Sequence, residues 1–264
     1  MTETDLITVP GGKLFIQVRG SGPALVLTGS PMGARFFEPL AEAMAGDHTV
    51  VTHDPRGIGA STLDDPDQDS TPDLRADDLA AVLDAVGAGT ADVFGSSGGA
   101  VTGLALVTRH PRRVRTLVAH EPPVLDLLPD AAARHATTDE IIRTFHAHGA
   151  GPAFGLFMRT AGYDLADMPD MPPPSEQDIK DNERFFAYEL RGTTTYVPDI
   201  AALTAGPARI VVGIGAGSGG LLTHRTSAAL AERLGVPMTE FPGDHGGFIS
   251  LAAAFAERLR QVID

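Results

Sequence analysis

Short apolar runs alternate with helical patterns along most of this chain, and no other sequence feature constrains its fold as strongly. The run ALVLT (residues 24–28) has no alternating polar face, which is typical of a strand buried on both sides. Strand patterns followed by helical patterns predict an α/β fold with a mostly parallel sheet flanked by helices. We predict eight strands, at residues 6–9, 13–19, 24–28, 48–54, 91–95, 114–120, 208–214 and 236–241. Helices are predicted at 34–45, 72–87, 98–110, 224–235 and 247–263.

Residues 122–200 interrupt this alternation. The segment opens with two prolines, carries a proline-rich stretch at 168–175, and has apolar residues at helical spacing in 139–148, 152–162 and 176–190. It contains no convincing strand pattern. We therefore predict an α/β core formed by residues 1–121 and 201–264, with a helical cap at 122–200 that folds over the functional site.

Composition restricts the classes of function. The net charge of −14 argues against nucleic acid or an anionic membrane surface as a partner. The chain has no cysteine, which excludes disulfides, thiolate catalysis and zinc–cysteine sites. The first residues have no signal-peptide pattern, and no run of about 20 apolar residues could span a membrane. We expect a cytoplasmic protein that is a monomer or a homodimer.

A Gly-x-Ser-x-Gly pattern lies in VFGSSGGAV, residues 93–101, between a predicted strand and a predicted helix. Only one frame fits, and it makes Ser97 the central residue. Glycines are needed because a serine on a sharp strand-to-helix turn is strained and crowded. The turn presents Ser97 as a nucleophile and places the N–H of Gly98 at a helix N-terminus, where it could stabilise an oxyanion. A second donor is expected from TGSPMGARF (28–36), either Ser30 or, less directly, Met32, since Pro31 has no N–H.

Four stretches together resemble the α/β-hydrolase family. LVLTGSPMGARFFEPLAEAM, VTHDPRGIGAST, VFGSSGGAV and EFPGDHGGF are similar to its oxyanion loop, Arg-Gly loop, nucleophile elbow and histidine loop. The resemblance extends over essentially the whole chain and implies a serine nucleophile, a histidine base and a carboxylate at the sheet's carboxyl edge. The chain departs from the family at Thr28, where a histidine usually precedes the glycine; a backbone oxyanion donor does not depend on that histidine. Arg56 is expected to brace the loops around the site.

The general base is predicted to be His245. The triad partners of this fold follow the serine along the chain. His245 lies in the glycine-rich loop PGDHGGF, after the last predicted strand and before the final helix. The other histidines beyond Ser97 lie at helix ends, at a strand end or in the 122–200 segment. His146 and His148 are accompanied by no carboxylate in a recognisable ligand spacing, so we predict no metal.

The acid is where the sequence departs from the common pattern. The family's usual position follows the strand at 208–214, but here that stretch reads GAGSGG, without a carboxylate. Asp244 is adjacent to His245, and neighbours in a tight loop rarely orient each other's side chains well. Glu121 ends the strand at 114–120, next to the serine strand, and some α/β-hydrolases carry their acid there. We predict Glu121, which would accept from the histidine ring and stabilise its charged form.

The motifs GSSGGA, RVRTLVAHEPP and LPD narrow the resemblance to the fungal zearalenone lactonases. This resemblance implies hydrolysis of an ester or lactone by a Ser-His-Glu triad. No cofactor is predicted: GAGSGG also fits a dinucleotide loop but lacks its own βαβ unit, and the acidic run at 65–69 lacks the glycine and glutamate of a calcium loop.

An apolar pocket suited to a small hydrophobic substrate is expected beneath the cap. Spacing alone does not decide which apolar and aromatic side chains line it; the candidates are Met32, Phe154, Phe157, Met158, Tyr163, Phe185, Phe186 and Tyr188. The favoured hypothesis is a cofactor-free serine hydrolase that acts through an acyl-enzyme. Carbon–carbon bond hydrolysis, cofactor-free peroxidation and a noncatalytic ligand-binding receptor are the alternatives on the same fold.

Overall fold

Nine strands form one sheet in the computed structural model, which describes residues 2–164 and 173–264. All eight predicted strands are present, and the additional strand β5 is only two residues long. The strands are β1 Thr2–Val9, β2 Gly12–Arg19, β3 Ala24–Thr28, β4 Thr49–His53, β5 Thr62–Leu63, β6 Ala91–Ser96, β7 Val114–His120, β8 Arg209–Gly215 and β9 Met238–Phe241. The predicted α/β-hydrolase architecture is therefore confirmed.

The sheet has the strand order β1-β2-β4-β3-β6-β7-β8-β9, with β5 paired to β2. The pairs made by β2 are antiparallel, and every pair from β4 to β9 is parallel. The carboxyl ends of β3, β6, β7, β8 and β9 therefore meet at one edge of the sheet. In open α/β sheets this edge is where ligands bind.

Helices occupy the connections between the strands. The α-helices are α1 Glu38–Met44, α2 Pro72–Ala85, α3 Gly98–Arg109, α4 Ala131–His148, α5 Ala150–Ala161, α6 Glu176–Arg184, α7 Leu190–Thr194, α8 Ile200–Ala205, α9 Leu222–Leu234, α10 Gly247–Ser250 and α11 Ala252–Ile263. Two 3-10 turns lie at Ala34–Phe37 and Leu125–Leu127, and a π-helical turn, Phe185–Glu189, joins α6 to α7. Within the described parts of the chain, no helix is long and apolar enough to cross a membrane.

The core lies on both faces of the sheet, which explains the continuous apolar runs in the sequence. Along β3, Leu25 and Leu27 pack on the face that α1 and α11 cover, whereas Val26 packs on the face of α2, α3 and α9. All three side chains are buried. A parallel strand covered on both faces has no polar side, so its sequence does not alternate.

The segment 122–200 contains helices and no strand in its described part; residues 165–172, which include most of the proline-rich stretch, lie outside the described residues. Its helices share an apolar cluster of Ile141, Ala153, Phe185, Phe186 and Leu190. The predicted helix at 176–190 begins with a capping box at Ser175 and is interrupted by the π-helical turn.

Arg184 attaches this segment to the core. Its guanidinium donates to the carbonyl oxygens of Pro66 and Gln68, both at 2.7 Å. It also lies against Gly57, whose φ is +72° and where a Cβ atom would meet the Arg184 side chain at 2.2 Å. The helices of 176–194 are thereby fixed to the loops at the carboxyl edge of the sheet.

Arg56 braces the loop that follows β4. Its guanidinium forms a bidentate ion pair with Asp78 of α2, at 2.7 and 2.6 Å, and donates to Gln68 Oε1 at 2.9 Å. Arg56 and Asp78 are both buried. A buried ion pair that loses one partner leaves an uncompensated charge in a site without water.

We expect Asp78→Asn to lower the free energy of unfolding by about 3–5 kcal/mol, because it leaves the buried guanidinium uncompensated. Urea denaturation measures this loss. Glu140→Gln is the matched control, since it removes the exposed pair with Arg143 and should cost less than about 1 kcal/mol. Equal losses in the two variants would contradict the bracing role.

Candidate active site

Ser97 lies on the sharp turn between β6 and α3. Its backbone has φ 55° and ψ −123°, a conformation that costs a non-glycine residue on the order of 1–3 kcal/mol. The glycines on either side permit the turn. A Cβ at Gly99 would lie 2.2 Å from the Thr28 carbonyl oxygen, and one at Gly95 would lie 2.5 Å from the Gly99 carbonyl oxygen. The close approach of backbones therefore explains the spacing of the Gly-x-Ser-x-Gly pattern.

Glu121 occupies the corresponding position at the end of the neighbouring strand. Ser96 is in register with His120, so the residues that follow them leave the sheet side by side. The Ser97 N–H also donates to the His120 carbonyl oxygen at 2.9 Å. Among the described residues, Ser97 and Glu121 are the two non-glycine residues with positive φ. Backbone strain of this kind concentrates at functional sites.

The Glu121 carboxylate binds His245 directly. The distance from His245 Nδ1 to Glu121 Oε2 is 2.5 Å. His245 lies in the loop between β9 and α10, as the sequence predicted, and its side chain is 20% exposed, whereas Glu121 is fully buried. Asp244, the neighbouring carboxylate, instead accepts from the Gly246 N–H at 2.9 Å.

The GAGSGG loop supports Glu121 from the position where the family usually has its acid. The Gly215 N–H donates to Glu121 Oε1 at 2.8 Å, and the Thr223 hydroxyl donates to Oε2 at 2.9 Å. Gly215 is required here, because a Cβ atom would lie 2.5 Å from the backbone of Asp244. The loop without a carboxylate and the first turn of α9 therefore each supply a hydrogen-bond donor to a carboxylate from another strand.

These contacts determine the charge of Glu121. Burial by itself raises the pKa of the carboxyl, but the hydrogen bond and the charge of His245 outweigh it and lower the pKa from 4.5 to about 2. Glu121 is consequently ionised at neutral pH and acts as an acceptor. An acceptor at Nδ1 keeps the proton on that nitrogen and leaves Nε2 of His245 as the free acceptor of the ring.

His120 packs beneath the His245 ring. The two ring centroids are 6.2 Å apart and the planes are 29° from parallel. Phe94, Phe241 and Phe255 surround the His120 ring. Burial lowers the pKa of His120 to about 3, so it is neutral beside a ring that gains charge when it accepts a proton. Apart from the adjacency of His120 to Glu121, no sequence pattern predicts this contact.

Ser97 Oγ makes no side-chain hydrogen bond within the part of the chain that the structure describes. The structure therefore pairs Glu121 with His245 and brings Ser97 to the adjoining strand end. Among the described residues, Ser97 and His245 are not joined by a hydrogen bond. In unliganded enzymes such bonds are often long and tighten only when substrate binds.

The predicted oxyanion residues adjoin the serine. Gly98 begins α3, so its N–H has no acceptor within the helix. Ser30 packs against it: a Cβ at Gly98 would lie 2.9 Å from Ser30 Cβ. The Ser30 hydroxyl donates to Glu189 Oε2 at 2.8 Å, a contact between residues 159 positions apart that sequence reasoning missed. Met32 packs against the core cluster that contains Phe37.

The other predicted pocket residues have diverse surroundings. Phe157, Phe185 and Phe186 pack against one another in the cluster of the 122–200 segment, so that packing accounts for their burial. Phe154 is exposed, and the Tyr188 hydroxyl donates to Asp67. Met158 and Tyr163 are half-buried.

Tyr163 is within the electrostatic influence of Glu121. Burial raises the pKa of its phenol, and the negative charges of Glu121 and Asp244 raise it further. The adjacent Gly162 approaches the GAGSGG loop, because a Cβ there would lie 2.7 Å from the Gly220 carbonyl oxygen. The end of α5 therefore borders the loop that supports Glu121.

The chain is similar to known hydrolases in sequence. A family model for the alpha/beta hydrolase fold matches residues 23–204. An uncharacterized hydrolase of Bacillus subtilis, YraK, is 32% identical over 263 residues, which are 98% of this chain and 95% of that protein. A zearalenone hydrolase of Cladophialophora bantiana is 27% identical over 258 residues, 96% of this chain and 93% of that protein. The resemblance inferred from the sequence motifs is confirmed.

A solved structure is similar over the whole chain. The esterase from Thermogutta terrifontis, with malate bound, has a TM-score of 0.76 and covers 99% of this chain and 100% of its own. The sequence identity is 18%, so this likeness concerns the fold alone.

The lowered pKa of Glu121 predicts how its contribution to the free energy of unfolding depends on pH. A carboxyl whose pKa falls from 4.5 to about 2 on folding stabilises the folded state above its unfolded pKa and loses that contribution as the pH falls through the folded pKa. We therefore expect the difference in free energy of unfolding between the wild type and Glu121→Gln to shrink as the pH falls from about 5 toward about 2. Urea denaturation at several pH values measures it, and a difference independent of pH would contradict the assignment.

Proposed function

The chain belongs to the α/β-hydrolase family, and from that premise we propose that it is a serine hydrolase that cleaves a small hydrophobic ester or lactone without a cofactor. The hydrogen bond between Glu121 and His245, at the strand end beside Ser97, is the observation that carries this proposal. It joins a base to its orienting acid, which is the arrangement that serine nucleophiles require.

The proposed reaction begins when Ser97 Oγ attacks the carbonyl carbon and its proton passes to His245 Nε2. Glu121 stabilises the imidazolium that forms, through the bond at Nδ1. The N–H groups of Ser30 and Gly98 donate to the oxygen that gains negative charge. Collapse of the tetrahedral intermediate breaks the carbon–oxygen bond to the leaving alcohol, which takes the proton from His245. An acyl-enzyme on Ser97 is left.

Water completes the cycle. His245 removes a proton from a water molecule, which attacks the acyl carbon, and Ser97 regains its proton as the acid product leaves. When the substrate is a lactone, the alcohol stays tethered to the acyl group throughout, and the second step releases a single hydroxy acid. Each oxyanion donor is typically worth about 3 kcal/mol of the activation barrier, so two donors supply a large part of the acceleration.

The 122–200 segment is proposed as a cap that excludes water from the acyl chemistry. Arg184 attaches its helices to the loop between β5 and α2, and Glu189 attaches them to the loop after β3, at the edge that carries the site. Met158, on α5, and Tyr163, which follows α5, are the proposed pocket residues on this side. The negative charge of Glu121 contributes to the raised pKa of Tyr163. An apolar, aromatic lining suits the hydrophobic part of an ester or lactone.

Turnover and covalent trapping test the reaction class. We expect wild-type protein to hydrolyse members of a panel of esters and lactones of graded size, and a serine-directed phosphonate to label Ser97 with loss of activity. Ser97→Ala should abolish both, because it removes the attacking oxygen.

Full activity in Ser97→Ala would contradict the proposal. Tight ligand binding with turnover slower than minutes would indicate a receptor, and halide oxidation with peroxide in acetate would indicate a peroxidase.

A matched pair of isosteric variants tests the acid. We expect Glu121→Gln to lower kcat by about 10⁴-fold, because the amide cannot stabilise the imidazolium or enforce the tautomer. Asp244→Asn changes the carboxylate next to His245 in the loop between β9 and α10, and it should leave kcat within a few-fold. The reverse pattern would transfer the role to Asp244.

A further inference from the structure

Glu189 is a buried carboxylate that the proposed reaction does not use. Its side chain has no exposed surface, and it ends the π-helical turn Phe185–Glu189 between α6 and α7. Its neighbours in the sequence are apolar or aromatic. π-Helical turns insert an extra residue into a helix and occur frequently at functional sites. Here the inserted turn brings an acidic side chain to the oxyanion loop.

The carboxylate receives its hydrogen bond from the oxyanion loop. Glu189 Oε2 accepts from the Ser30 hydroxyl at 2.8 Å, and no other hydrogen bond to the Glu189 side chain is made by the described residues. Ser30 is the residue whose N–H we propose as an oxyanion donor, and it packs directly against Gly98, which carries the second one. The hydrogen bond between Ser30 and Glu189 thus joins the 122–200 segment to the proposed oxyanion donors.

Arg75 compensates the charge of Glu189 without directing it. Arg75 Nη1 lies 3.5 Å from Glu189 Oε2, while its hydrogen bonds go to Thr102, Thr193 and the Ser70 carbonyl oxygen. The pKa of Glu189 is raised by burial, which outweighs the charge of Arg75 and the bond from Ser30 that act in the opposite direction. Burying a carboxylate costs free energy that an apolar side chain of similar size would avoid. The hydrogen bond from Ser30 therefore points to a role for Glu189 other than packing.

We propose that Glu189 is a positioning residue: by holding the Ser30 hydroxyl it fixes the oxyanion loop against Gly98, so that the helices of 176–194 align the oxyanion donors. This inference rests on the proposed serine hydrolase function. Donors must lie within hydrogen-bond distance of the oxyanion rather than of the ground-state carbonyl. A displacement of about 1 Å in such a site can cost on the order of 10²-fold in rate.

A double-mutant cycle tests the coupling. Ser30→Ala removes the hydroxyl and keeps the N–H, and Glu189→Leu removes the acceptor. We expect each change to lower kcat per phosphonate-titrated active site by about 10- to 100-fold, with KM altered by less than about 3-fold, because the donors that this contact aligns stabilise the oxyanion in the transition state. The double variant should lose no more than the worse single variant, since both changes break one contact.

Two further variants separate positioning from folding. Glu189→Gln keeps a carbonyl oxygen that can accept from Ser30, so it should lose less kcat than Glu189→Leu, although both variants leave Arg75 uncompensated. Thr193, on α7, accepts a hydrogen bond from Arg75, and Thr193→Val removes it. This variant should lower the free energy of unfolding and leave kcat within about 2-fold. If Glu189→Leu does not fold, Ser30→Ala and Glu189→Gln still decide the matter.

The outcomes separate this inference from the function on which it rests. Unchanged kcat per active site in Ser30→Ala, or losses of kcat that multiply in the double variant, would overturn the positioning role. Turnover by the wild type would still support the serine hydrolase function in that case. Absence of both turnover and phosphonate labelling in the wild type would overturn the proposed function, and this inference with it.

Discussion

The hydrogen bond between His245 Nδ1 and Glu121 Oε2 is the interaction on which the rest of the site depends. It links a loop after the last strand to the end of a central strand, residues 124 positions apart in the chain. Because Glu121 is buried, its charge is tolerated only with donors around it, and His245, Gly215 and Thr223 provide them. These contacts lower the pKa of the carboxyl against the effect of burial, so it is ionised and can accept from the ring.

The parallel sheet explains how such distant residues meet. The strands that precede Ser30, Ser97, Glu121 and His245 all end at one edge, and the two strained backbones at Ser97 and Glu121 turn sharply there. The loop after β8 and the end of β7, where Glu121 lies, are on the same edge. The loop comes close enough to Glu121 for the Gly215 N–H to bind its carboxylate, which a larger residue at 215 would prevent.

Much of this was predictable from the sequence, for identifiable reasons. Buried strands such as β3 have unmistakable apolar runs, and the glycines around Ser97 admit one frame, so both could be located from local pattern alone. The bond between Ser30 and Glu189 could not, because it depends on a helix register that the π-helical turn alters. Phe185 and Phe186 illustrate the same limit: their sequence indicates burial but does not reveal which neighbours bury them.

Proton NMR of the His245 ring tests the central pairing most directly. A histidine Nδ1–H bound to a carboxylate in a short hydrogen bond resonates far downfield of other ring protons and exchanges slowly with water. The wild type and Asp244→Asn should both show this resonance, and Glu121→Gln should lack it. A resonance that persists in Glu121→Gln and disappears in Asp244→Asn would contradict the assignment of Glu121 as the partner of His245.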